Sequence, residues 1–166
     1  MNLFPQNVKL LSTLRFLESG SSQGNFDNFN LALHDDDQQN DVLTNRAMLV
    51  NHYNLPSLPV WINQTHSNLC VDADSISSIV DADASYSKKI GTVCAVLTAD
   101  CLPVFVSNKY GTAVGIAHVG WKGLLVGIIE SLIKSFDDNP KDLIVHLGPA
   151  ISQLSFEVGE EVRSQY

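Results

Sequence analysis

Two stretches set the fold of this chain: Val96-Leu97-Thr98-Ala99-Asp100-Cys101-Leu102-Pro103 and Ala117-His118-Val119-Gly120-Trp121-Lys122-Gly123. The first is an apolar, strand-like run that ends in a carboxylate and a thiol. The second is an apolar run that ends in an imidazole, directly before a glycine-flanked helix start. Polar side chains at the ends of buried elements are a common place for chemistry, so the two stretches together predict a functional site.

Length and composition predict a single domain over residues 1–166. The chain is 45% hydrophobic, which is enough apolar surface for a sizeable core. Its net charge is -8 and it has no basic stretch, so nucleic acid is not expected as a partner. No apolar run approaches the roughly 20 residues of a membrane span, and no signal peptide is recognised. Three widely spaced cysteines are typical of a reducing compartment, and we predict a cytoplasmic protein without membrane contact.

The spacing of apolar residues predicts both helices and strands. Helices are expected from 40 or 41 to 53 and from 121 to 136, where apolar residues recur at helical spacing. Ser155 is expected to cap a last helix with Glu157 in its first turn, and the chain stops within that helix. Strands are predicted at 60–66, 69–71, 92–98, 103–107, 112–118 and 143–147.

Three side chains at predicted strand ends match the ligand set of a catalytic zinc site. Cys101, His118 and His66 would supply three ligands and leave a fourth position for water. The alternatives stay open, because an isolated histidine is often satisfied in the core and a buried cysteine is usually a small hydrophobe. We predict that Cys70 and Cys94 are small buried hydrophobic residues of this kind.

Two other classes of function are open for the same residues. Cys101 and His118 would form a thiolate–imidazole pair in a metal-free hydrolase or deamidase. A purely structural zinc site would instead make the chain a non-enzymatic binding module. Asp100 is interpreted as a group that orients a ligand or acts as a general base, or else as a carboxylate that caps a loop.

The predicted helix start after His118 is a candidate phosphate site. Gly120 and Gly123 would leave backbone N–H groups accessible, and Lys122 would add a positive charge.

Five segments occur in a fixed order along the chain. They are Gln64-Thr65-His66, Ala82-Asp83-Ala84, Thr98-Ala99-Asp100-Cys101-Leu102-Pro103-Val104, Ala117-His118-Val119-Gly120-Trp121-Lys122-Gly123 and Leu147-Gly148-Pro149-Ala150-Ile151. Asn30-Leu31 with His34, and Asn45-Arg46, extend the pattern over essentially the whole chain. Together they resemble the YfiH-like family, also called the polyphenol oxidoreductase or laccase-domain family and, in bacteria, the peptidoglycan editing factor family.

The resemblance implies a fold and an activity. The fold would be α+β, with four α/β/β/α layers and mixed sheets. The activity would be zinc-dependent phosphorolysis of adenosine, inosine and methylthioadenosine with deamination of adenosine, the zinc being held by His66, Cys101 and His118. Copper oxidation and a role in peptidoglycan quality control, hence a link to cell-wall synthesis, are also ascribed to members. We rank copper oxidation low, because one cysteine and scattered histidines do not build several copper centres.

Three further residues are weaker candidates for the site, and the chain departs from the family pattern at other positions. Arg15, Asn30 and Arg46 are candidates for contacts with the substrate. Lys122 stands where members commonly carry arginine, which keeps the charge but loses the bidentate fork. Leu154 and Ser155 stand where many members have a pair of cysteines. The family continues beyond the last residue here, so the chain is expected to lack its C-terminal segment.

Overall fold

The computed structural model describes residues 4–166, which fall into two compact units. The first unit combines the chain up to Leu10 with Val60–Tyr166, and the second is Leu11–Pro59. The three candidate metal ligands all belong to the first unit. A single domain over 1–166 stays a prediction.

The second unit is organised around one long helix, α1 (Gln39–His52). The predicted helix at 40–53 is therefore confirmed, and Val42 and Leu49 form its buried face. Gln38 rather than Asn40 or Asp41 occupies the N-cap. Asn45 is also fully buried, and its side chain donates hydrogen bonds to the Ser22 hydroxyl and to two backbone carbonyls. A buried amide must be satisfied in this way, so these bonds tie the preceding loop to α1.

Seven strands and three further α-helices follow along the described chain. They are β1 (Pro59–Val60), β2 (Cys70–Asp72), β3 (Ala84–Ser87), β4 (Val93–Cys94), β5 (Leu102–Asn108), β6 (Val114–Val119), α2 (Trp121–Leu125), α3 (Ile128–Lys134), β7 (Leu143–Leu147) and α4 (Glu160–Arg163). No helix among the described residues has both the length and the apolar character needed to cross a membrane.

The strands form a five-stranded sheet and a two-stranded sheet. The larger sheet has the order β2-β3-β6-β5-β7, and the smaller one pairs β1 with β4. In the larger sheet β2 and β3 are parallel, while the other neighbours are antiparallel. The predicted α+β class with mixed sheets is confirmed: the described residues supply two sheets and four α-helices.

The core lies where α3 covers the strands β3 and β6. Ile128 and Leu132 on α3 are fully buried, and they pack in a cluster with Val104 on β5 and Ala117 on β6. A Cβ atom at Gly115 on β6 would lie 2.8 Å from Leu132 Cδ1, so this glycine allows the helix to come close. Burial of each large apolar side chain contributes about 1.5–3 kcal/mol. The core thereby fixes β6, the strand that carries His118.

The prediction of one helix over 121–136 is wrong. Gly127 has φ +88°, a left-handed conformation that ends α2 and starts α3. Glycine adopts this conformation without the steric penalty that other residues meet, so the break is encoded at that position. The predicted last helix is also misplaced. Ser155 ends a short 3-10 helix, and α4 begins only after Gly159 with Glu160 in its first turn.

The strand prediction is right for four of its six runs, largely wrong for the other two, and misses one strand. The predicted runs 69–71, 103–107, 112–118 and 143–147 correspond to β2, β5, β6 and β7. The run 92–98 contains only the two-residue strand β4, and the run 60–66 overlaps β1 at Val60 alone. Beyond those short strands the Gln64 side chain bonds to both the N–H and the carbonyl of Leu97, taking the place of a backbone ladder. β3 was missed because Ala84-Ser85-Tyr86-Ser87 lacks the large apolar residues that mark a strand.

Candidate metal centre

Cys101 and His118 are brought together by antiparallel pairing. Leu102 at the start of β5 pairs with Val119 near the end of β6, and Pro103 pairs with His118. The start of one antiparallel strand lies beside the end of its partner. The sequence predicts Cys101 at the end of a strand, but in the structure Cys101 precedes β5. His118 lies near the end of β6, as predicted.

His66 reaches the same place from an irregular segment, not from a strand end. Its φ is +58°, in the left-handed region that non-glycine residues seldom occupy. The backbone N–H groups of Thr65, His66 and Ser67 all donate hydrogen bonds to the carboxylate of Asp83. This carboxylate holds the loop in its turn and so presents the His66 ring to the other two side chains.

The three candidate ligands converge within a small volume. One ligand atom from each of His66, Cys101 and His118 lies within 4.8 Å of the other two. His66 Nε2 is 4.0 Å from Cys101 Sγ, and the two imidazole centroids are 4.7 Å apart. Among the described residues this is the one such group of three that could hold a metal ion. The convergence expected from the sequence is present.

Asp83 is a site residue whose role the sequence did not reveal. The residue is fully buried, and its Oδ1 lies 2.8 Å from His118 Nδ1. Burial opposes ionisation of this carboxyl, but hydrogen bonds from His118, Ser67 and Thr65 outweigh it and hold the pKa well below its usual range. Asp83 stood in one of the segments that carry the family resemblance, which was the only signal available.

Gly120 makes room for the converging side chains. A Cβ atom there would lie 2.6 Å from His66 Cδ2 and 3.0 Å from Cys101 Sγ. At Gly123 the nearest atom would be Ile128 Cγ2 at 3.4 Å, an ordinary contact. Both glycines are buried. Gly120 thus has a packing reason to be glycine and Gly123 has none, while phosphate binding at this turn stays a prediction.

The three thiols have different environments. Burial, and then the negative charges of Asp100 and Asp83, raise the pKa of the Cys101 thiol. Burial raises the pKa of Cys94 to about 12. Burial also raises the pKa of Cys70, whose sulfur accepts a hydrogen bond from the Ser135 hydroxyl. Cys70 and Cys94 therefore fit the structural role predicted for them, and none of the three thiols is activated by a neighbouring cation.

A cavity of about 680 Å³ opens beside Cys101 and Gly120. Its size is within the range of about 300–1,000 Å³ found for small-molecule sites. Asp100 is an exposed side chain on its wall, and Lys122 lies exposed one residue beyond Trp121. Most of the remaining wall is apolar and includes Leu102, Val119, Trp121, Leu124, Ile151, Phe156, Val158, Val162 and Tyr166.

The other predicted substrate residues lie in the second unit, 11–59. Arg15 is exposed and donates to the backbone carbonyls of Asp27 and Asn25. Asn30 donates to Asp37 and accepts from the Ala32 N–H. Arg46 donates from Nε to the Leu31 carbonyl. These contacts stabilise loops of that unit, and substrate binding by the three residues stays a prediction.

The sequence of this chain matches a known protein family. A family model described as multi-copper polyphenol oxidoreductase laccase matches residues 11–166. The chain belongs to this family. It is 44% identical over 164 residues to a protein of Escherichia coli named purine nucleoside phosphorylase YfiH, covering 98% of this chain and 66% of that protein. A Haemophilus influenzae protein named purine nucleoside phosphorylase is 38% identical over 162 residues, with the same two coverages.

Solved structures of the family have the same fold. A crystal structure of a Neisseria meningitidis protein superposes with a TM-score of 0.91 at 40% identity, covering 98% of this chain and 66% of that one. The structure of YlmD from Geobacillus stearothermophilus gives 0.77 at 27% identity, with coverages of 88% and 60%. The chain thus spans 66% of the length of the family members named above from Escherichia coli and Haemophilus influenzae.

The donor set fits a metal ion. Two imidazoles and one thiol are ligands that zinc accepts, and three protein ligands are typical of a catalytic rather than a structural zinc site. Gly120 leaves the space between His66 and Cys101 free of a side chain. The laccase description names several copper ions, whereas the described part of the chain brings together one three-ligand group. The described residues could therefore hold one metal ion at this place.

Proposed function

We propose that this chain is a zinc-dependent purine nucleoside phosphorylase. The observation that carries the proposal is the convergence of His66, Cys101 and His118 beside a cavity of small-molecule size. The names of the relatives from Escherichia coli and Haemophilus influenzae support the choice of substrate. Zinc is preferred over copper because oxidation of the laccase type uses several copper centres, and one thiolate with two imidazoles suits a single zinc.

The residues around the cavity have distinct proposed roles. Trp121, Leu124 and Phe156 offer apolar surface to the purine ring. Lys122 is the second residue of α2, which follows Gly120, and we assign it to phosphate. Asp100 is placed on the cavity wall, where it would orient the substrate or accept a proton. Zinc, when bound, supplies a Lewis acid that polarises a substrate atom.

The reaction is tested with the purified, zinc-loaded chain. In phosphorolysis a phosphate oxygen bonds to the anomeric carbon of ribose, the bond to the purine nitrogen breaks, and that nitrogen takes a proton. We expect adenosine, inosine and methylthioadenosine to release free purine base only when phosphate is present, as measured by chromatography. Absence of free base from a chain with full zinc occupancy would contradict the proposal and favour a non-enzymatic zinc-stabilised binding module.

Deamination of adenosine is the second activity that we propose for this site. It replaces the purine amino group with oxygen from water and releases ammonia, so it needs no phosphate. The same incubation without phosphate separates the two reactions, since inosine rather than adenine is then the expected product. A link to peptidoglycan quality control and cell-wall synthesis rests on the family resemblance alone.

A metal-free Cys–His hydrolase is the second candidate function. Three neighbouring side chains support it. Cys101 would be the nucleophile, His118 the base, and Asp83 the carboxylate that orients the base. Two features disfavour it. A nucleophilic cysteine has a lowered pKa, whereas burial and nearby carboxylates raise the pKa of Cys101. His66 also lies within the same group and has no part in such a triad.

Alkylation of the thiols distinguishes the two candidates. With zinc bound we expect Cys101 to resist iodoacetamide, and to react after a chelator strips the metal. Cys94 is the internal control: burial raises its pKa to about 12, so it should stay unmodified in both samples until the protein unfolds. Peptide mass spectrometry reads each site. Rapid modification of Cys101 that is insensitive to chelator and to added zinc would support the metal-free hydrolase instead.

A further inference from the structure

Asp83 makes hydrogen-bond contacts with both candidate histidine ligands. Its Oδ1 accepts from the His66 backbone N–H at 3.0 Å and lies 2.8 Å from His118 Nδ1. Its Oδ2 accepts from the backbone N–H groups of Thr65 and Ser67 and from the Ser67 hydroxyl. One fully buried side chain therefore contacts the loop of one ligand and the ring of the other.

Asp83 cannot itself be a metal ligand, because hydrogen bonds already occupy its two carboxylate oxygens. A carboxylate has about four lone-pair positions, and five donors already share the two oxygens. Asp83 is also outside the group of side chains whose ligand atoms converge. Any effect that it has on a bound metal must act through the two histidines.

We propose that Asp83 is the positioning residue of the metal centre: it fixes the tautomer of His118 and the backbone conformation of His66. An ionised carboxylate only accepts hydrogen bonds, so Nδ1 of His118 must carry the proton. Nε2 of His118 then keeps its lone pair for the metal. Outer partners of this kind set the orientation of metal-ligating histidines.

The effect on His66 works through its backbone. A non-glycine residue at φ +58° lies in a sterically disfavoured region, so the surrounding hydrogen bonds must compensate. Three consecutive backbone N–H groups, those of residues 65 to 67, donate hydrogen bonds to the Asp83 carboxylate and supply that compensation. Without them the loop would relax and carry the His66 ring away from Cys101.

The proposal rests on the metal site proposed above, but its first test needs no metal. Two-bond ¹H–¹⁵N correlation spectra of the zinc-free protein report which ring nitrogen of His118 is protonated. We expect a protonated Nδ1 and a bare Nε2 in the unsubstituted chain. A neutral His118 ring that carries its proton on Nε2 and leaves Nδ1 bare would overturn the proposal, whatever the metal content.

The second test uses Asp83→Asn, which keeps the shape but turns one acceptor into a donor. The amide NH₂ then faces either His118 or the loop N–H groups. We expect zinc affinity, measured by competition with a chelating indicator, to fall about 10- to 100-fold. In the zinc-free spectra the proton of His118 should move to Nε2 wherever the amide NH₂ faces the ring.

Asp74→Asn is the matched control. Asp74 also organises a loop, accepting from the hydroxyls of Ser87 and Thr92 and from the Lys88 N–H, but it contacts none of the proposed ligands. This variant should lose stability without a change in zinc affinity. Equal affinity of the Asp83→Asn variant and the unsubstituted chain would overturn the positioning role alone. Failure of the unsubstituted chain to bind zinc at all would overturn the proposed function as well.

Discussion

Replacement of Cys101 by alanine is expected to abolish zinc binding and phosphorolysis together. The substitution removes one of three converging ligands and the only thiol among them. Loss of an outer partner of a ligand already costs about 10- to 100-fold in affinity or activity, so loss of the ligand itself should cost more than about 100-fold. Zinc content by elemental analysis and release of purine base by chromatography measure the two effects on the same sample.

Cys70→Ala is the matched control for this prediction. Cys70 lies on β2, packs against the core and bonds to Ser135, and it is not part of the convergent group. Its loss should lower the free energy of unfolding by about 1 kcal/mol, a typical effect of a single substitution. Zinc content and activity should stay at the level of the unsubstituted chain. A Cys101→Ala variant that retained full zinc would contradict the ligand assignment.

Replacement of Gly120 by alanine adds a single methyl group, and it is expected to weaken zinc binding about as strongly as the loss of Cys101. The backbone there has φ -76°, which any residue adopts, so alanine brings no conformational strain. The added Cβ atom would instead lie 2.6 Å from His66 Cδ2, inside the contact distance of two carbon atoms. The His66 ring must move, and we expect zinc affinity to fall about 100-fold or more by competition with a chelating indicator.

Gly123→Ala controls for the insertion of a methyl group into the same helix start. Its Cβ atom would meet Ile128 Cγ2 at 3.4 Å, a tolerable contact, and alanine favours a helix over glycine by about 1 kcal/mol. This variant should bind zinc as the unsubstituted chain does. If Gly120→Ala also kept its zinc affinity, the space between His66 and Cys101 would not be required, and the account of Gly120 would be wrong.

The sequence predicted those parts of the fold that rest on local apolar pattern. The helix α1 and the strands β5, β6 and β7 each carry a run of apolar residues with clear turn signals, and each is found near its predicted position. The prediction failed where side chains replace backbone partners. Gln64 pairs with Leu97 and the Asp83 carboxylate takes consecutive N–H groups, so strand-like sequences there form no ladder.

The candidate site was predictable as a set of ligand types but not as an arrangement. His66, Cys101 and His118 are chemically conspicuous, and the family resemblance grouped them. The role of Asp83 depends on donors from Thr65 to Ser67 and on His118, which are distant in sequence and meet only in the fold. The sequence suggested that Gly120 binds phosphate, whereas the structure shows that a side chain at this position would collide with His66 and Cys101.

X-ray absorption at the zinc edge of the purified chain identifies the atoms that bind the metal. We expect one zinc per chain, with two nitrogen neighbours at about 2.0–2.1 Å and one sulfur neighbour at about 2.3 Å. Cys101→Ala should show no bound zinc, whereas Cys70→Ala should keep the zinc and its sulfur neighbour. A zinc shell without sulfur in the unsubstituted chain, or no bound zinc at all, would contradict the account.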